Sequence, residues 1–373
     1  MRVAVLANLK KNAPHWDGMP TDQWDDLDSE KTTDGLVSAL ASAGHEAVFF
    51  EASVLPPFNL IERLREFKPD ICFNMAESHF GDGREAQIPS LLEMLRIPYT
   101  GSQVLTLALA LDKPLTKRIL RYHGLPTPEF QVFERPDEPI SLDLIDEHGD
   151  LRFPLFVKPS REGTSIGVTG ESIVRTIAEL RERLAQWSAR YQEPILCEHY
   201  IAGREVMVGM LGNVPPAGEK RFTERDLACD LFETLTFLPI IEFDPTPHAE
   251  TEADVYTSAR KTTLADDYIY NCPALIEPEL AHRLRMLAGA TFQVTGCRDV
   301  ARVDIRIDRE TGQPYILEIN TLPGLSPHFS DLCLQADAAG WSHERLINTI
   351  LDNALTRYGL LARSELPIAQ AAK

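Results

Sequence analysis

Short apolar runs alternate with amphipathic segments over the first hundred residues. Apolar runs at 3–6, 47–50 and 70–75 predict buried strands. Segments 29–43, 60–67 and 86–95 carry the 3.6-residue period of helices. Alternation of strand and helix with short joints predicts an α/β unit whose parallel sheet is covered by helices, ending near Gly101.

The rest of the chain reads as α+β. Helical periods cover 104–123, 173–191, 277–295 and 342–358, and strand patterns cover 153–158, 195–199, 205–211, 300–307 and 315–320. Segment 215–259 is rich in Pro, Glu, Asp and Thr and lacks a period, which predicts a surface excursion or a lid. We expect domains at 1–101, 102–198 and 199–373, the last with a mobile loop at about 246–267.

Charge and cysteine usage narrow the function classes. The 373 residues include 37 Lys and Arg against 56 Asp and Glu, a net charge of −19, which disfavours nucleic-acid and anionic-membrane partners. No stretch approaches about 18 uninterrupted apolar residues. The 6 cysteines are scattered without metal spacing, so we expect free thiols and a cytoplasmic location.

The hairpin 301–320 carries the strongest chemical signal. A period of two places Arg302, Asp304 and Arg306 on one strand face, opposite Val303, Ile305 and Ile307. Glu318 and Asn320 share a face of the next strand, so two carboxylates and an amide can converge as a Mg²⁺ site. Neutralisation of the carboxylates by the two arginines on a solvated sheet face is the equally weighted alternative.

A glycine-bearing loop at 160–167 follows Lys158 at a strand end, a composition that suits phosphate. Its Gly163–Gly167 stretch also matches Gly-x-Ser-x-Gly, the nucleophile elbow of serine hydrolases. An elbow needs a strand that enters it directly and a helix that leaves it, whereas here Gly163 lies five positions after Lys158 and the exit is predicted to be extended. The phosphate loop is the favoured interpretation, with a plain surface turn as the alternative.

Other candidates are weak when taken one at a time. They are Lys113, Glu198, Glu205, Lys261 and His79, the last in a loop after the third strand. At the carboxyl edge of an open sheet a loop histidine can meet a ligand. A lone charged residue of this kind is more often a solvated surface group.

In order along the chain, these pieces resemble the D-alanine–D-alanine ligase family of the ATP-grasp superfamily. The resemblance rests on the stretches 98–102, 111–113, 157–167, 203–205, 301–304 and 318–324. It implies an ATP-grasp fold behind an N-terminal, Rossmann-like parallel-sheet domain, with ATP between the central and C-terminal domains. It raises the metal interpretation of the hairpin above the alternative.

Motif matching also implies a role for each site residue. ATP contacts would come from Lys113, Lys158, Ser165, Glu198, Ile201, Glu205 and, on a mobile loop, Lys261. Asp304, Glu318 and Asn320 would hold two Mg²⁺ ions, or Mn²⁺ in their place. Arg302, Gly324 and Thr164 would serve catalysis, and His79 and Ser330 would contact substrate.

The implied reaction joins a carboxylate to an amine through an acyl phosphate made from ATP. Amino acids are the expected substrates, and homodimers occur in the resembled family. A related ligase joining other amino acids or an amino-acid conjugate is the first alternative. A non-catalytic ATP-binding protein is the alternative of another class, and a Ser165 hydrolase is the weakest.

Several positions depart from the family pattern. Where D-alanine ligases carry Gly-Gly-x-Ser-x-Glu, this chain has 7–14 followed by an acidic segment to Asp28. Thr164 replaces a serine, Thr262 replaces a tyrosine, and the loop after Gly324 shifts the usual serine. We therefore predict poor use of D-alanine, unless Asp25, Asp26 or Asp28 folds over the site and replaces the missing glutamate.

Overall fold

The computed structural model describes residues 1–146, 148–244 and 269–361. Its first sheet has strands β1 (Arg2–Ala7), β2 (Glu46–Glu51) and β3 (Ile71–Met75) in the order β2-β1-β3. Both pairings are parallel, which confirms the predicted α/β unit.

Helices connect and cover these strands. They are α1 (Glu30–Ser42), α2 (Leu60–Phe67), α3 (Gln87–Leu95), α4 (Val104–Leu111) and α5 (Lys113–Tyr122). Ser29 caps α1 because its Oγ accepts the Thr32 amide at 3.3 Å. Asp112 caps α5 by accepting the Leu115 amide at 2.9 Å, and this break divides the predicted helical stretch 104–123 in two.

The second sheet is antiparallel, in the order β4-β7-β5-β6. Its strands are β4 (Phe130–Phe133), β5 (Leu155–Pro159), β6 (Ile173–Val174) and β7 (Ile195–His199), with helix α6 (Ile177–Tyr191) between the last two. The helix predicted from residue 173 begins later, since Ile173 and Val174 pair with β5 and Thr176 caps α6.

A larger antiparallel sheet follows, in the order β11-β10-β8-β12-β13 with β9 beside β8. It comprises β8 (Gly203–Gly212), β9 (Leu235–Phe237), β10 (Ile241–Asp244), β11 (Ile269–Asn271), β12 (Asp299–Asp308) and β13 (Pro314–Asn320). The prediction of an aperiodic excursion at 215–259 is wrong over its first part, which contains α7 (Glu224–Leu227), β9 and β10. The predicted mobile loop at 246–267, with Lys261 and Thr262, lies outside the described residues.

Helix α8 (Pro278–Thr295) packs on one face of this large sheet, burying Leu287 and Phe292 against Val303 and Ile305. Helices α9 (Asp331–Ala338) and α10 (His343–Arg357) return to the first sheet and share its apolar core. The opposite face of β12 is thereby left to line cavities. The three sheets occupy successive stretches of chain, and the domain boundaries remain a prediction. None of the helices in the described ranges is long and apolar enough to span a membrane.

Candidate active site

Strand β12 presents charged side chains to the interior on one face. Val303 and Ile305 enter the apolar core, while Arg302, Asp304 and Arg306 line cavities, which confirms the predicted alternation. That charged face is not solvated, because Arg302, Asp304 and Arg306 are only 8%, 5% and 5% exposed. Charged groups buried to this extent require partners.

A β-bulge sets the direction of the residues on β13. Asp304 pairs with Glu318, but the next residue, Ile305, pairs with Ile316, so Leu317 is unmatched. Leu317 and Glu318 consequently both line the same cavity, while Ile316 and Ile319 both enter the core. The bulge thereby brings Glu318 to the cavity wall beside Asp304.

The hairpin carboxylates have different partners. Arg302 holds Asp304 with two hydrogen bonds, Nε–Oδ1 at 2.8 Å and Nη2–Oδ2 at 2.9 Å. Asn320 Nδ2 donates to Asp304 Oδ2 at 3.0 Å. Glu318 Oε2 lies 3.5 Å from Lys113 Nζ and 4.0 Å from Lys158 Nζ. The sequence left open the alternative that arginines neutralise both carboxylates. In the structure Arg302 neutralises Asp304, whereas Lys113 and Lys158 lie near Glu318.

Burial raises the pKa of Asp304, and Glu318 adds to the rise while Arg302 opposes it. A divalent cation between the two carboxylates would favour their charged forms. The donors are hard oxygens, as Mg²⁺ prefers, and one or two carboxylates with substrate phosphates suffice for that ion. Within the described ranges no group of three or more His, Cys, Asp or Glu gathers as a metal cage. The hairpin thus fits a cation shared with a phosphate ligand.

A cavity between the second and third sheets collects most of the predicted ATP contacts. Its lining includes Lys113, Lys158, Ser165, Glu198, Ile201, Glu205, Asp304 and Glu318. Lys158 Nζ lies 3.1 Å from Glu198 Oε1. Burial lowers the pKa of Lys158, but Glu198 and Glu318 outweigh it and the net shift is upward. A charged lysine at the wall suits a polyphosphate.

Lys117 is a second buried partner of Glu198, and the sequence analysis did not predict it. Its side chain is fully buried, with Nζ 2.7 Å from Glu198 Oε2 and donating to Thr127 Oγ1 at 2.9 Å. Only its helical position could have signalled this, because Lys113 and Lys117 lie four residues apart on one face of α5. Glu205, the other predicted glutamate of this cavity, has an arginine and not a lysine beside it, with Oε2 3.6 Å from Arg306 Nε.

The loop 160–167 turns sharply between two cavities. Thr164 and Ser165 have φ of 47° and 60°, and Gly167 has φ of 74°. Ser165 lines the cavity of the lysines, whereas Thr164 lines the neighbouring ones. The loop leads through a single 3-10 turn, Gly170–Ser172, to strand β6 and not to an α-helix, so the geometry of a nucleophile elbow is absent here.

The acidic segment between β1 and α1 folds back over this loop. Asp22 Oδ2 accepts the Gly167 amide at 3.1 Å, and Asp26 Oδ2 accepts from Arg84 Nη2 at 2.8 Å. Arg84 also donates to the Arg161 carbonyl at 2.9 Å. The segment returns to β1, where the Asp28 amide and carbonyl pair with Asn8 and Lys10. The acidic segment therefore folds over the loop 160–167, as one part of the sequence prediction required, while the replacement of the missing glutamate by one of its aspartates stays a prediction.

A second cavity, of about 400 Å³, lies beneath the acidic segment. Its wall includes Asp25, Asp26, Asp28, Thr164, Arg302, Gly324, Ser330 and Asp331. Arg302 Nη1 donates to Asp331 Oδ2 at 2.7 Å, a contact that sequence reasoning missed. A Cβ on Gly324 would lie 2.8 Å from Ser330 Oγ, so only glycine fits without a shift. We name this space the acidic cavity.

A smaller acidic passage connects the two cavities. It shares Lys113 and Glu318 with the first and Asp26, Thr164, Arg302 and Gly324 with the acidic cavity, and it adds Glu77 and Glu85. Burial raises the pKa of Glu85 to about 7 and that of Glu77 well above its ordinary value. Thr164, Arg302 and Gly324, the predicted catalytic residues, thus line both the passage and the acidic cavity. We name the passage, which shares lining residues with both cavities, the junction.

The structure places His79, for which a substrate role was predicted, beside Trp24 of the acidic segment. The imidazole lies edge-on to Trp24 with ring centroids 5.2 Å apart, and it lines none of these three spaces. Burial lowers the pKa of His79. Because Trp24 belongs to the acidic segment, His79 packs against that segment, and its substrate role stays a prediction.

Known proteins share this arrangement of a parallel-sheet unit followed by two antiparallel sheets. The crystal structure of D-alanine–D-alanine ligase from Bacillus anthracis complexed with ATP matches with a TM-score of 0.68 and 25% identity, over 96% of this chain and 99% of that one. The fold is accordingly that of the ATP-grasp ligases, as expected.

Sequence comparisons define the family. The family model "D-ala D-ala ligase C-terminus" matches residues 119–352. D-alanine–D-alanine ligase B of Chromobacterium violaceum is 34% identical over 85% of this chain and 90% of its own. The uncharacterized protein y4sG of Sinorhizobium fredii is 38% identical over 88% of each chain. The chain belongs to the D-alanine–D-alanine ligase family.

Proposed function

We propose that this protein is an ATP-dependent ligase that joins a carboxylate to an amine through an acyl phosphate. The observation that carries the proposal is the junction of the spaces, where Lys113 and Glu318 face one side and Arg302 and Gly324 face the other. A phosphate donor and a carboxylate can meet there. Membership of a ligase family supports the same conclusion.

Different side chains act in the two steps, which are the formation of the acyl phosphate and the attack of the amine. Lys113 and Lys158 balance the charge of the phosphates as the substrate carboxylate attacks the γ-phosphorus and ADP leaves. Arg302 and the backbone at Gly324 face the carbonyl oxygen, whose negative charge grows when the amine attacks. Mg²⁺ held by Asp304, Glu318 and Asn320, or Mn²⁺ in its place, would screen phosphate charge when bound.

Exclusion of water is the other requirement, since water destroys an acyl phosphate. The acidic segment covers the junction through Asp22 and Asp26, and Thr164 closes it from the loop. These contacts support a shielded site.

The choice of substrate needs revision from the sequence expectation. Poor use of D-alanine was predicted because no carboxylate replaced the family's glutamate. Asp26 and Asp28 now line the acidic cavity, so an amino group can find an anionic partner there. D-alanine therefore stays among the carboxylate donors to be tested.

The test uses hydroxylamine as a substitute amine. An activated carboxylate then yields a hydroxamate and ADP, whichever acceptor the enzyme naturally uses. We expect hydroxamate from at least one member of a panel of D- and L-amino acids, with Lys158→Met inactive and Glu46→Gln, at a surface pair remote from the cavities, active. ATP binding without hydroxamate from any member would favour the non-catalytic nucleotide-binding protein.

We further propose a cytoplasmic location, supported by six unpaired cysteines. A homodimer is likewise proposed on the family resemblance alone. Light scattering in solution measures that state directly.

A further inference from the structure

The guanidinium of Arg302 is held at each of its three nitrogens. Nε donates to Asp304 Oδ1 at 2.8 Å and Nη2 donates to Asp304 Oδ2 at 2.9 Å. On the other side, Nη1 donates to Asp331 Oδ2 at 2.7 Å. A planar group bonded at every nitrogen cannot turn without breaking a hydrogen bond, so the two carboxylates together fix its orientation.

The two carboxylates that hold Arg302 have different surroundings. Asp304 lines the cavity of the predicted ATP contacts, and its Oδ2 also accepts from Asn320 at 3.0 Å. Of the three spaces described above, Asp331 lines only the acidic cavity. A cation at Asp304 would compete with Arg302 for the Asp304 oxygens. Asp331 lies outside that competition, so its bond would keep Arg302 in place.

Helix α9 gives Asp331 a rigid support. Asp331 is the first residue of the helix, where the positive end of the helix dipole favours a carboxylate. Leu332 is fully buried in the core that α9 shares with the first sheet. One turn on, Gln335 Nε2 donates to the carbonyls of Met207 and Pro239, both at 2.9 Å. The position of Asp331 is therefore set by a packed element and not by a loop.

Gly209 of strand β8 permits α9 to come this close. Gly209 is paired directly with Arg302 of β12, and residues paired in this way project from the same face of a sheet. A Cβ on Gly209 would lie 2.4 Å from Gln335 Oε1 and 2.5 Å from Leu332 Cδ1, so only glycine fits without a shift. The helix thus packs on the face from which Arg302 projects, at the distance that the bond to Asp331 needs.

The start of α9 also lies against Gly324. Ser330, the residue just before the helix, accepts the Ser326 amide through Oγ at 3.0 Å. That same oxygen would lie 2.8 Å from a Cβ on Gly324. Two consecutive residues, Ser330 and Asp331, are therefore next to the two groups that the proposed function places at the reacting carbonyl.

We propose that Asp331 is a positioning residue of the ligase reaction, which holds the Arg302 guanidinium toward the reacting carbonyl while Asp304 serves a cation. This inference rests on the proposed ligase function and adds a residue that acts through Arg302. Negative charge grows on the carbonyl oxygen as the amine attacks, and a donor already aimed at that oxygen stabilises it without reorganisation. A displacement of about 1 Å in such a group can lower a rate about a hundredfold.

The first experiment is the hydroxylamine assay with Asp331→Ala. We expect kcat to fall at least about tenfold while the KM for ATP changes less than about twofold, because Asp331 does not line the cavity of the ATP contacts. Asp337→Ala is the matched control, since Asp337 lies on the same helix and its partner His328 has a side chain that is 77% exposed. A wild-type kcat in Asp331→Ala would overturn the proposal.

The second experiment separates positioning from general damage to the fold. Calorimetry of ADP binding at saturating Mg²⁺ examines the nucleotide cavity without turnover, and we expect equal affinities in the wild type and Asp331→Ala. Loss of ADP affinity together with kcat would refute a positioning role. Asp331→Asn keeps an oxygen that can accept from Arg302 Nη1, so it should recover part of the lost kcat. A rate as low as that of Asp331→Ala would exclude this hydrogen bond as the cause.

The third experiment asks whether Asp331 acts through Arg302. A lysine in place of Arg302 cannot be held at three nitrogens, so Asp331→Asn should lower kcat by a smaller factor in the Arg302→Lys background than in the wild type. An equal factor in the two backgrounds would show that Asp331 acts independently of Arg302, and the proposal would be wrong.

The failure of this inference and the failure of the ligase give different results. Absence of hydroxamate from every carboxylate with the wild-type protein refutes the ligase, and with it the reaction that Asp331 would serve. Hydroxamate formation that is unchanged in Asp331→Ala keeps the ligase and refutes the positioning residue. If Asp331→Ala fails to unfold cooperatively, Asp331→Asn in the two backgrounds still gives the answer.

Discussion

Replacement of Glu198 by glutamine tests whether its charge stabilises the fold by neutralising the buried Lys117 and Lys158. Glu198 is 3% exposed and lies between Lys117 at 2.7 Å and Lys158 at 3.1 Å. Glu198→Gln keeps the shape but leaves two buried ammonium groups without their shared anion. Breaking a buried ion pair in this way costs about 3–5 kcal/mol.

The ionisation of Lys117 and that of Glu198 both limit this loss of stability. Lys117 can release its proton, because burial already lowers its pKa, and this limits the loss. Burial opposes ionisation of Glu198, but Lys117 and Lys158 outweigh it and hold its pKa below the ordinary value. The stabilisation is therefore present at neutral pH and is lost as the pH falls below the ordinary pKa of a glutamate and through this lowered one.

Urea unfolding at pH 7, followed by fluorescence, measures the difference. Trp187 is a suitable reporter because it is buried in the core of the second sheet with Cys197, next to Glu198 in β7. Glu46→Gln is the matched control, since its partner Arg2 is 39% exposed and surface pairs contribute at most about 1 kcal/mol. A loss in Glu198→Gln no greater than in the control would refute the electrostatic explanation.

Three further predictions concern the junction. Glu318→Gln should fold normally but lose turnover, because a carboxylate facing Lys113 becomes neutral; near-normal ATP turnover at low Mg²⁺ would contradict this. Asp28→Asn should raise the melting temperature at pH 8 and not at pH 4, because a carboxylate with a pKa of about 7 destabilises the fold only when ionised; an equal change at both pH values would exclude this cause. Gly324→Ala should lower kcat by displacing Ser330, and adding Ser330→Gly to that variant should recover part of the lost rate. A wild-type kcat in Gly324→Ala alone would show that Ser330 moves aside without a cost to catalysis.

Local patterns were sufficient for most secondary structure. Buried strands and amphipathic helices in the first hundred residues follow from side-chain period, and the helix at 29–43 was confirmed to within a residue at each end. Segment 215–244 was misread because strands β9 and β10 are short and take their order from pairing with β8, which no local period records.

In the hairpin, too, the local pattern predicted part of the site and missed the part that depends on distant residues. Alternation along β12 correctly separated Arg302 and Asp304 from the core residues. The bulge opposite Ile305 and the second partner of Arg302, Asp331, depend on the register and on a helix 29 residues away, so they were not predicted.

By itself the sequence determined the period of the elements, the order of the ligase motifs and the oxygen donors of the hairpin, because these depend on neighbours along the chain. Only the tertiary structure decided that Asp26 and Asp28 line one cavity with Thr164, that Lys117 is buried against Glu198, and that His79 packs against Trp24. These contacts join residues distant in sequence. Their burial sets both the charge balance and the space left for a substrate, and neither can be read from local pattern.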